Sequence, residues 1–417
     1  MSSALAKTVL CAAALALGVA ASPGTAAADQ YHYRNLLVGD RAAGMGGAYT
    51  AVSDDPTGLY YNPAATVYAQ GGSLSASMNT FHTTHASYAD VLGGEGWERA
   101  SQTLVPNFFG VLHPFGRVTV GFSYAVPDAV EEDQDQTFQD LPSALPGVRI
   151  DEYRIHFNER DNTYHLGPSV AFRLGERWAA GLTLYGHYRR REAILDQVIT
   201  LDDGRFQWAN MNFETEEFGL RPLAGVLWEV TDRLSVGLAA AKTFVLSAHT
   251  EVQQTATGVG VPDGTVDVDE ADSRQKREYP WTATLGVAYF ATHSLLLSAD
   301  VTYYEAVRDE FGKRETTWDF ATGLEYYPTP RWAVRLGAFS SRANTPEIDA
   351  GKTDQDPHVD LYGGSMSLSH FTRTSSVTLG AAYSRGSGED QVIQATTDSQ
   401  DLDVWTLSVF LSASYRY

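Results

Sequence analysis

The chain ends on a strand that few environments explain. Apolar side chains fall on Trp405, Leu407, Val409, Leu411, Ala413, Tyr415 and Tyr417, with Thr406, Ser408, Ser412, Ser414 and Arg416 between them and Phe410 as the exception. Successive side chains of a strand point to opposite faces. A period-two run of this length, closing on an aromatic residue, puts one face in an apolar medium and the other in a polar one. A strand tilted through an outer membrane meets that demand, since one face touches lipid and the other a polar lumen. Strands of soluble sheets seldom run so long.

The front of the chain predicts an envelope address. Lys7 precedes an uncharged run from Thr8 to Ala21, which is followed by Ser22-Pro23-Gly24-Thr25 and Ala26-Ala27-Ala28. Residues 1–28 read as a secretory signal peptide, cleaved after Ala28. The run is too short to span a membrane as a helix. The single cysteine, Cys11, lies inside it, so the mature chain offers no disulfide, thiol nucleophile or cysteine metal site.

Charge is unevenly placed. The net charge is −21, and four stretches (128–161, 249–278, 344–360 and 386–403) carry 10, 7, 5 and 5 carboxylates against 3, 3, 1 and 0 Lys or Arg. Such surfaces disfavour nucleic acid as a partner. They fit solvated extracellular loops, or carboxylates bridged by divalent cations to the phosphates of outer-membrane lipopolysaccharide.

A turn pattern recurs along the chain. Phe172-Arg173-Leu174-Gly175-Glu176-Arg177-Trp178, Trp228-Glu229-Val230-Thr231-Asp232-Arg233-Leu234, Tyr326-Tyr327-Pro328-Thr329-Pro330-Arg331-Trp332 and Pro114-Phe115-Gly116-Arg117 each lead into an alternating strand, with looser copies at 290–293 and 371–374. These are tight turns flanked by aromatics. Longer, mostly acidic connections lie between them. The pattern predicts an all-β, transmembrane antiparallel barrel of about fourteen strands over residues 71–417, with short turns on the periplasmic side. The predicted strands lie near 71–86, 102–113, 117–127, 161–174, 177–192, 213–229, 234–248, 278–290, 294–308, 313–327, 331–342, 358–370, 374–386 and 402–417.

Residues 29–70 are not barrel-like. Gly44-Met45-Gly46-Gly47-Ala48-Tyr49 and Asp54-Asp55-Pro56 precede Tyr61-Asn62-Pro63-Ala64. No strand precedes these glycines and no Lys follows at P-loop spacing, so a phosphate cradle is not expected. A compact, turn-rich segment of small residues suits a plug inside a lumen. The run from Arg41 to Ala65 resembles the FadL/TodX family of outer-membrane hydrocarbon transporters, whose N-terminal hatch carries an Asn-Pro-Ala motif, here Asn62, Pro63 and Ala64. The resemblance implies a fourteen-stranded barrel closed by that hatch. It implies uptake of a hydrophobic compound such as a long-chain fatty acid, gated by the ligand through movement of the hatch, with lateral exit at a kinked third strand. Related barrels that serve secretion carry a similar signature, so a secretion-associated or structural barrel without small-molecule cargo remains the alternative.

Candidate sites follow from this reading. In the third strand, Gly121 and Pro127 are the residues able to break a ladder; an ordinary strand ending at Pro127 fits equally. In the connection 193–212, Ile194, Leu195, Val198, Ile199, Phe206 and Trp208 form either an apolar ligand groove or an extension of two strands. Arg189, Arg221 and Arg335 face inward by alternation and are candidate partners for a carboxylate. Ion pairing with inward Asp300, Asp319, Glu325 and Asp403 is the other use for them. An enzyme is not expected. There is no Gly-x-Ser-x-Gly, His82 and His85 fall on opposite strand faces, and His165 and His187 read as wall residues. No metal or cofactor is expected, and the barrel is expected to be a monomer.

Overall fold

The computed structural model describes residues 31–417 except 144, 263–264 and 393–396. The signal-peptide reading, residues 1–28, therefore lies outside the described residues. Fourteen antiparallel staves form the wall. They are β1 (Ser73–Leu92), β2 (Glu95–Phe115), β3 (Val118–Pro142), β4 (Arg149–Arg173), β5 (Trp178–Leu201), β6 (Phe206–Thr231) and β7 (Leu234–Ala241, resuming as Phe244–Gly258). They continue with β8 (Thr282–Thr292), β9 (Leu295–Tyr304), β10 (Thr317–Thr329), β11 (Trp332–Ser341), β12 (His358–Val359 with Leu361–Phe371), β13 (Ser375–Asp390) and β14 (Gln400–Arg416). The terminal strand pairs back on the first, from Ser73↔Arg416 to Tyr88↔Leu402, which closes the barrel. Closure leaves no terminal strand edge in the membrane span, where an unpaired backbone group is costly.

The fourteen predicted strands match these staves one for one, but β1 to β7 are taller than expected. Stretch 128–161, read as an acidic loop, is mostly the upper halves of β3 and β4, paired from Asp128↔Thr163 to Pro142↔Arg149. The connection 193–212 is likewise the top of β5 and β6, paired from Ala193↔Phe213 to Thr200↔Phe206. Above the bilayer the outer faces meet water and turn polar, while the inner faces carry Phe138, Tyr153, Ile155, Phe157, Leu195 and Ile199; for 193–212 the extension of two strands is the arrangement found. The outer wall carries Leu182, Val226, Leu285, Val287 and Leu297, all exposed to the surroundings. Trp178 and Trp228 are a cross-strand pair whose rings stack at 5.2 Å, near the periplasmic turns. Higher up, Tyr124, Tyr164, Tyr188 and Phe218 form a row across β3 to β6, with centroids 6.3, 6.1 and 4.8 Å apart. Two aromatic levels are the girdles of a membrane barrel. Asp403, expected to face the lumen, faces outward and accepts from Ser387.

The segment before β1 packs inside the wall. It folds as two single helical turns, Arg41–Gly44 and Gly58–Tyr61, and a 3₁₀ turn, Pro63–Tyr68. Val38, Ala42, Ala43, Met45, Ala48 and Tyr49 have no exposed surface. The wall makes room by omitting side chains. A Cβ at Gly337 would strike the backbone of Gly46, one at Gly237 the carbonyl of Thr50, and one at Gly181 the backbone of Ala64. A Cβ at Gly323 would lie 2.8 Å from Met45 Cβ, and one at Gly286 2.8 Å from Thr50 Cβ. Glycine inside a strand marks such close backbone approach.

Candidate functional site

Asn62 anchors the predicted hatch motif. Its Nδ2 donates to the carbonyls of Thr50 (2.8 Å) and of Val226 in β6 (3.2 Å), and its Oδ1 accepts from Ala64 N–H (3.1 Å). Pro63 follows as the first residue of the 3₁₀ turn, where a missing N–H costs nothing. The Asn62–Pro63 corner stands against β5 and β6, where Gly181 and Gly225 leave space for it. The residue that meets β3 is Leu59, whose side chain occupies the place a Cβ of Gly121 would need. Gly121 is paired on both sides, with Leu112 and Ser169, so it breaks no ladder.

The break lies higher on β3. Pairing of β2 with β3 runs from Phe115↔Val118 up to Phe108↔Ala125, stops, and returns at one pair, Ser101↔Glu132. Residues 102–107 and 126–131 face each other without a ladder. Pro127 sits in that interval, and β3 shifts register against β4 between Ala125 and Asp128. Proline donates no ladder bond, which accounts for the break. Above it, side chains join the two strands. Arg99 grips Glu132 with two bonds of 2.6 and 2.7 Å, and Gln134 Nε2 donates to the Ala100 carbonyl at 3.1 Å.

The start of the described chain fills the break from within. Leu36 N–H donates to the Pro127 carbonyl at 3.1 Å. Asn35 Nδ2 donates to Asp128 Oδ1 at 3.1 Å, and Asn107 Nδ2 donates to the Leu37 carbonyl at 2.9 Å. The Leu36 side chain is buried with Val105, Val126 and Ala129. These contacts were invisible in the sequence, since residues 31–37 carry no motif.

Behind this seal lies a cavity of about 270 Å³. Asn35, Leu36, Leu37, Pro127 and Asp128 form one wall; Tyr60, Tyr61, His165, Arg221, Leu223 and Tyr304 are among the others. A second cavity of about 140 Å³, toward the extracellular end, is lined by Tyr31, His32, Tyr88, Arg99, Glu132 and Leu402. His32 borders both and bonds the Val359 carbonyl at 2.6 Å.

The three candidate arginines part company here. Arg189 is buried between Asp161 and Glu217, and Arg335 binds Glu325 at 2.6 Å and also Ser369. Both are structural ion pairs. Arg221 makes none among the described residues. Its guanidinium lies 5.4 Å from the centre of the Tyr60 ring, and its buried Nη1 has no hydrogen-bond partner. The apolar candidates also divide. Leu195 and Ile199 point inward into a packed cluster with Trp97, Phe138, Tyr153 and Phe157. Ile194, Val198, Phe206 and Trp208 fall on the other strand face. They do not form one groove, because a strand of period two cannot put neighbours on one side.

The same architecture appears in solved channels. The toluene transporter TodX of Pseudomonas putida superposes with a TM-score of 0.66 at 14% identity, over 92% of this chain and 99% of that one. The fold is the FadL/TodX barrel. A Pseudomonas aeruginosa FadL homologue matches with a TM-score of 0.62 at 15% identity over 92% and 99% of the two chains. The CymD monoaromatic hydrocarbon channel gives 0.62 at 13% over 91% and 97%. No family model and no curated protein matches the sequence itself.

Proposed function

We propose that this chain is a channel of the bacterial outer membrane that takes up hydrophobic compounds, long-chain fatty acids among them, and releases them sideways between β2 and β3. One observation carries the reading: the lumenal cavity and the break in the wall are separated only by residues 35–37, with Leu36 as the stopper. Cargo in the cavity reaches lipid once that short stretch withdraws, without crossing the polar periplasmic half of the lumen. Apolar burial supplies the driving force, on the order of 0.8 kcal/mol per methylene. The similar channels include a toluene transporter and a monoaromatic hydrocarbon channel, which supports this class of cargo. A cavity closed by one movable segment favours transport over a purely structural barrel.

A reversible lock tests the reading. The chain has no cysteine beyond residue 11, so Asn35→Cys with Asp128→Cys introduces a single crosslinkable pair. Oxidised cells should take up labelled oleate no faster than cells lacking the protein, and reductant should restore uptake. Wild-type uptake through the oxidised protein would place the exit elsewhere.

A further inference from the structure

The lumenal cavity is not the lining expected for a plain hydrocarbon. Polar atoms without a partner gather at two places on its wall. On the β4–β6 side are Arg221 Nη1 and His165 Nδ1. His165 and His187 are 95% and 97% buried and bond each other at 3.1 Å; His165 Nδ1 is left without a partner, while His187 Nε2 lies 3.9 Å from Glu217 Oε2. On the opposite side are Tyr33 Oη, Arg34 Nη1 and Asp300 Oδ1. There Tyr33 stacks on Tyr304 at 4.5 Å, Arg34 Nη2 donates to Thr302 at 3.3 Å, and Asp300 Oδ2 accepts the N–H groups of Tyr49 and Thr50. The rings of Tyr60 and Tyr61 and the apolar Leu223 also line the cavity. Each unmatched buried polar atom costs free energy that a matching ligand atom returns.

We propose that the cargo of this cavity is an amphiphile oxygenated at both ends: a carboxylic acid whose far end bears a hydroxyl. The carboxylate lies against Arg221, and the chain runs over the tyrosine faces. A hydroxyl suits the second group because Asp300 accepts while Arg34 and Tyr33 donate, and a hydroxyl does both. A second carboxylate would meet Asp300 as a like charge. A simple fatty acid would match one group and leave the other unbonded, and an alkane would match neither. The inference rests on the uptake reading and narrows its cargo.

Calorimetric titration of the purified protein in detergent tests it, using laurate, 12-hydroxylaurate, dodecanedioate and methyl laurate, with the hydroxy-acid series extended to shorter and longer chains to find the best span. At the best length the hydroxy acid should bind about tenfold tighter than the plain acid, and more tightly than the diacid or the ester. Tyr33→Phe and Arg34→Gln should each reduce the hydroxy-acid preference several-fold, and Arg221→Gln should reduce the preference for acid over ester. Equal binding of hydroxy and plain acids at every length would overturn the proposal. In that case laurate binding together with oleate uptake by cells would leave the transport reading standing. Absence of both binding and uptake would remove both readings.

Discussion

The hatch touches the wall in two ways. Toward β9–β13 it is held by buried charge and by many hydrogen bonds. Arg41 spans from Asp54 to Glu325, which also holds Arg335; Asp300 accepts two hatch amides; Ser298 and Ser365 bond Ala48 and Gly46. Burial disfavours the Arg41 cation, but the carboxylates of Asp54 and Glu325 outweigh it and hold its pKa well above the ordinary value. Toward β2 and β3 the contact carries no buried ion pair: Leu36 packs on Val105, Val126 and Ala129, Val38 on Phe108 and Ala125, Leu59 fills the space at Gly121, and three hydrogen bonds join residues 35–37 to the two strands. Separating a buried ion pair costs about 3–5 kcal/mol, whereas a neutral hydrogen bond is worth about 1 kcal/mol net. The difference assigns different work to the two sides. Residues 35–37 are the part whose bonds to the wall are neutral, whereas residues 31–34 are tied to Thr302, Tyr304, Ser341 and Val359 as well. Gating by movement of the whole hatch, the expectation drawn from family resemblance, would have to break the stronger side first.

Removing one member of the strong side should have the largest effect. Glu325→Ala leaves Arg41 and Arg335 facing each other and should cost about 3–5 kcal/mol. Loss of the heat-modifiable band at lower temperature on semi-native gels is the readout; an unchanged transition would show that the anchor is not one. Next is the weak side. Leu36→Ala should cost about 2–3 kcal/mol of local burial and loosen the seal alone. Liposomes carrying it should leak small solutes faster while the heat-modifiable band stays where it was. Coupled loss of both would erase the distinction between the two sides. Asn62→Ala removes three hydrogen bonds and should cost about 2 kcal/mol, read as faster proteolysis of the hatch in an otherwise intact barrel, with reduced oleate uptake. The smallest effect concerns pH. Burial pushes the Asp55 carboxyl up to about 6, against the opposing pull of Arg41. A carboxyl with a raised folded pKa favours the folded hatch while protonated, so that contribution is present in acid and is lost as pH rises through about 6. Protection from hydrogen exchange in residues 50–60, after correction for the intrinsic pH dependence of exchange, should fall between about pH 4 and pH 6, and Asp55→Asn should flatten that fall.

The wall was legible in the sequence because period-two alternation is imposed by lipid on one side and a polar lumen on the other. It failed above the bilayer, where Glu131, Arg160, Arg190 and Glu214 stand on outer faces in water and the pattern dissolves into charge. Of the site, Pro127 was readable, since one missing N–H has one consequence. Gly121 looked the same in the sequence but serves close packing against Leu59. Arg221 could not be told from Arg189 and Arg335 by alternation. What separates them is which carboxylates lie across the lumen, and that depends on pairing between strands far apart in the chain. The seal at Leu36 left no signal, because an isolated leucine in an irregular segment has no period to violate.

The glycines of the inner wall did leave a signal, and its consequence reaches beyond packing. Gly181↔Gly225, Gly237↔Gly286 and Gly323↔Gly337 are direct cross-strand pairs. At these positions the barrel has no inner surface of its own, and the surface is supplied by residues 45–64. The bore is therefore set by a segment made before the first strand, not by the staves around it. Strand number fixes the circumference of such a cylinder; here the N-terminal residues fix its calibre. Lengthening the side chains on those residues would narrow nothing, because there is no clearance left to lose. The cylinder would have to open a seam, and between β2 and β3 it already has one.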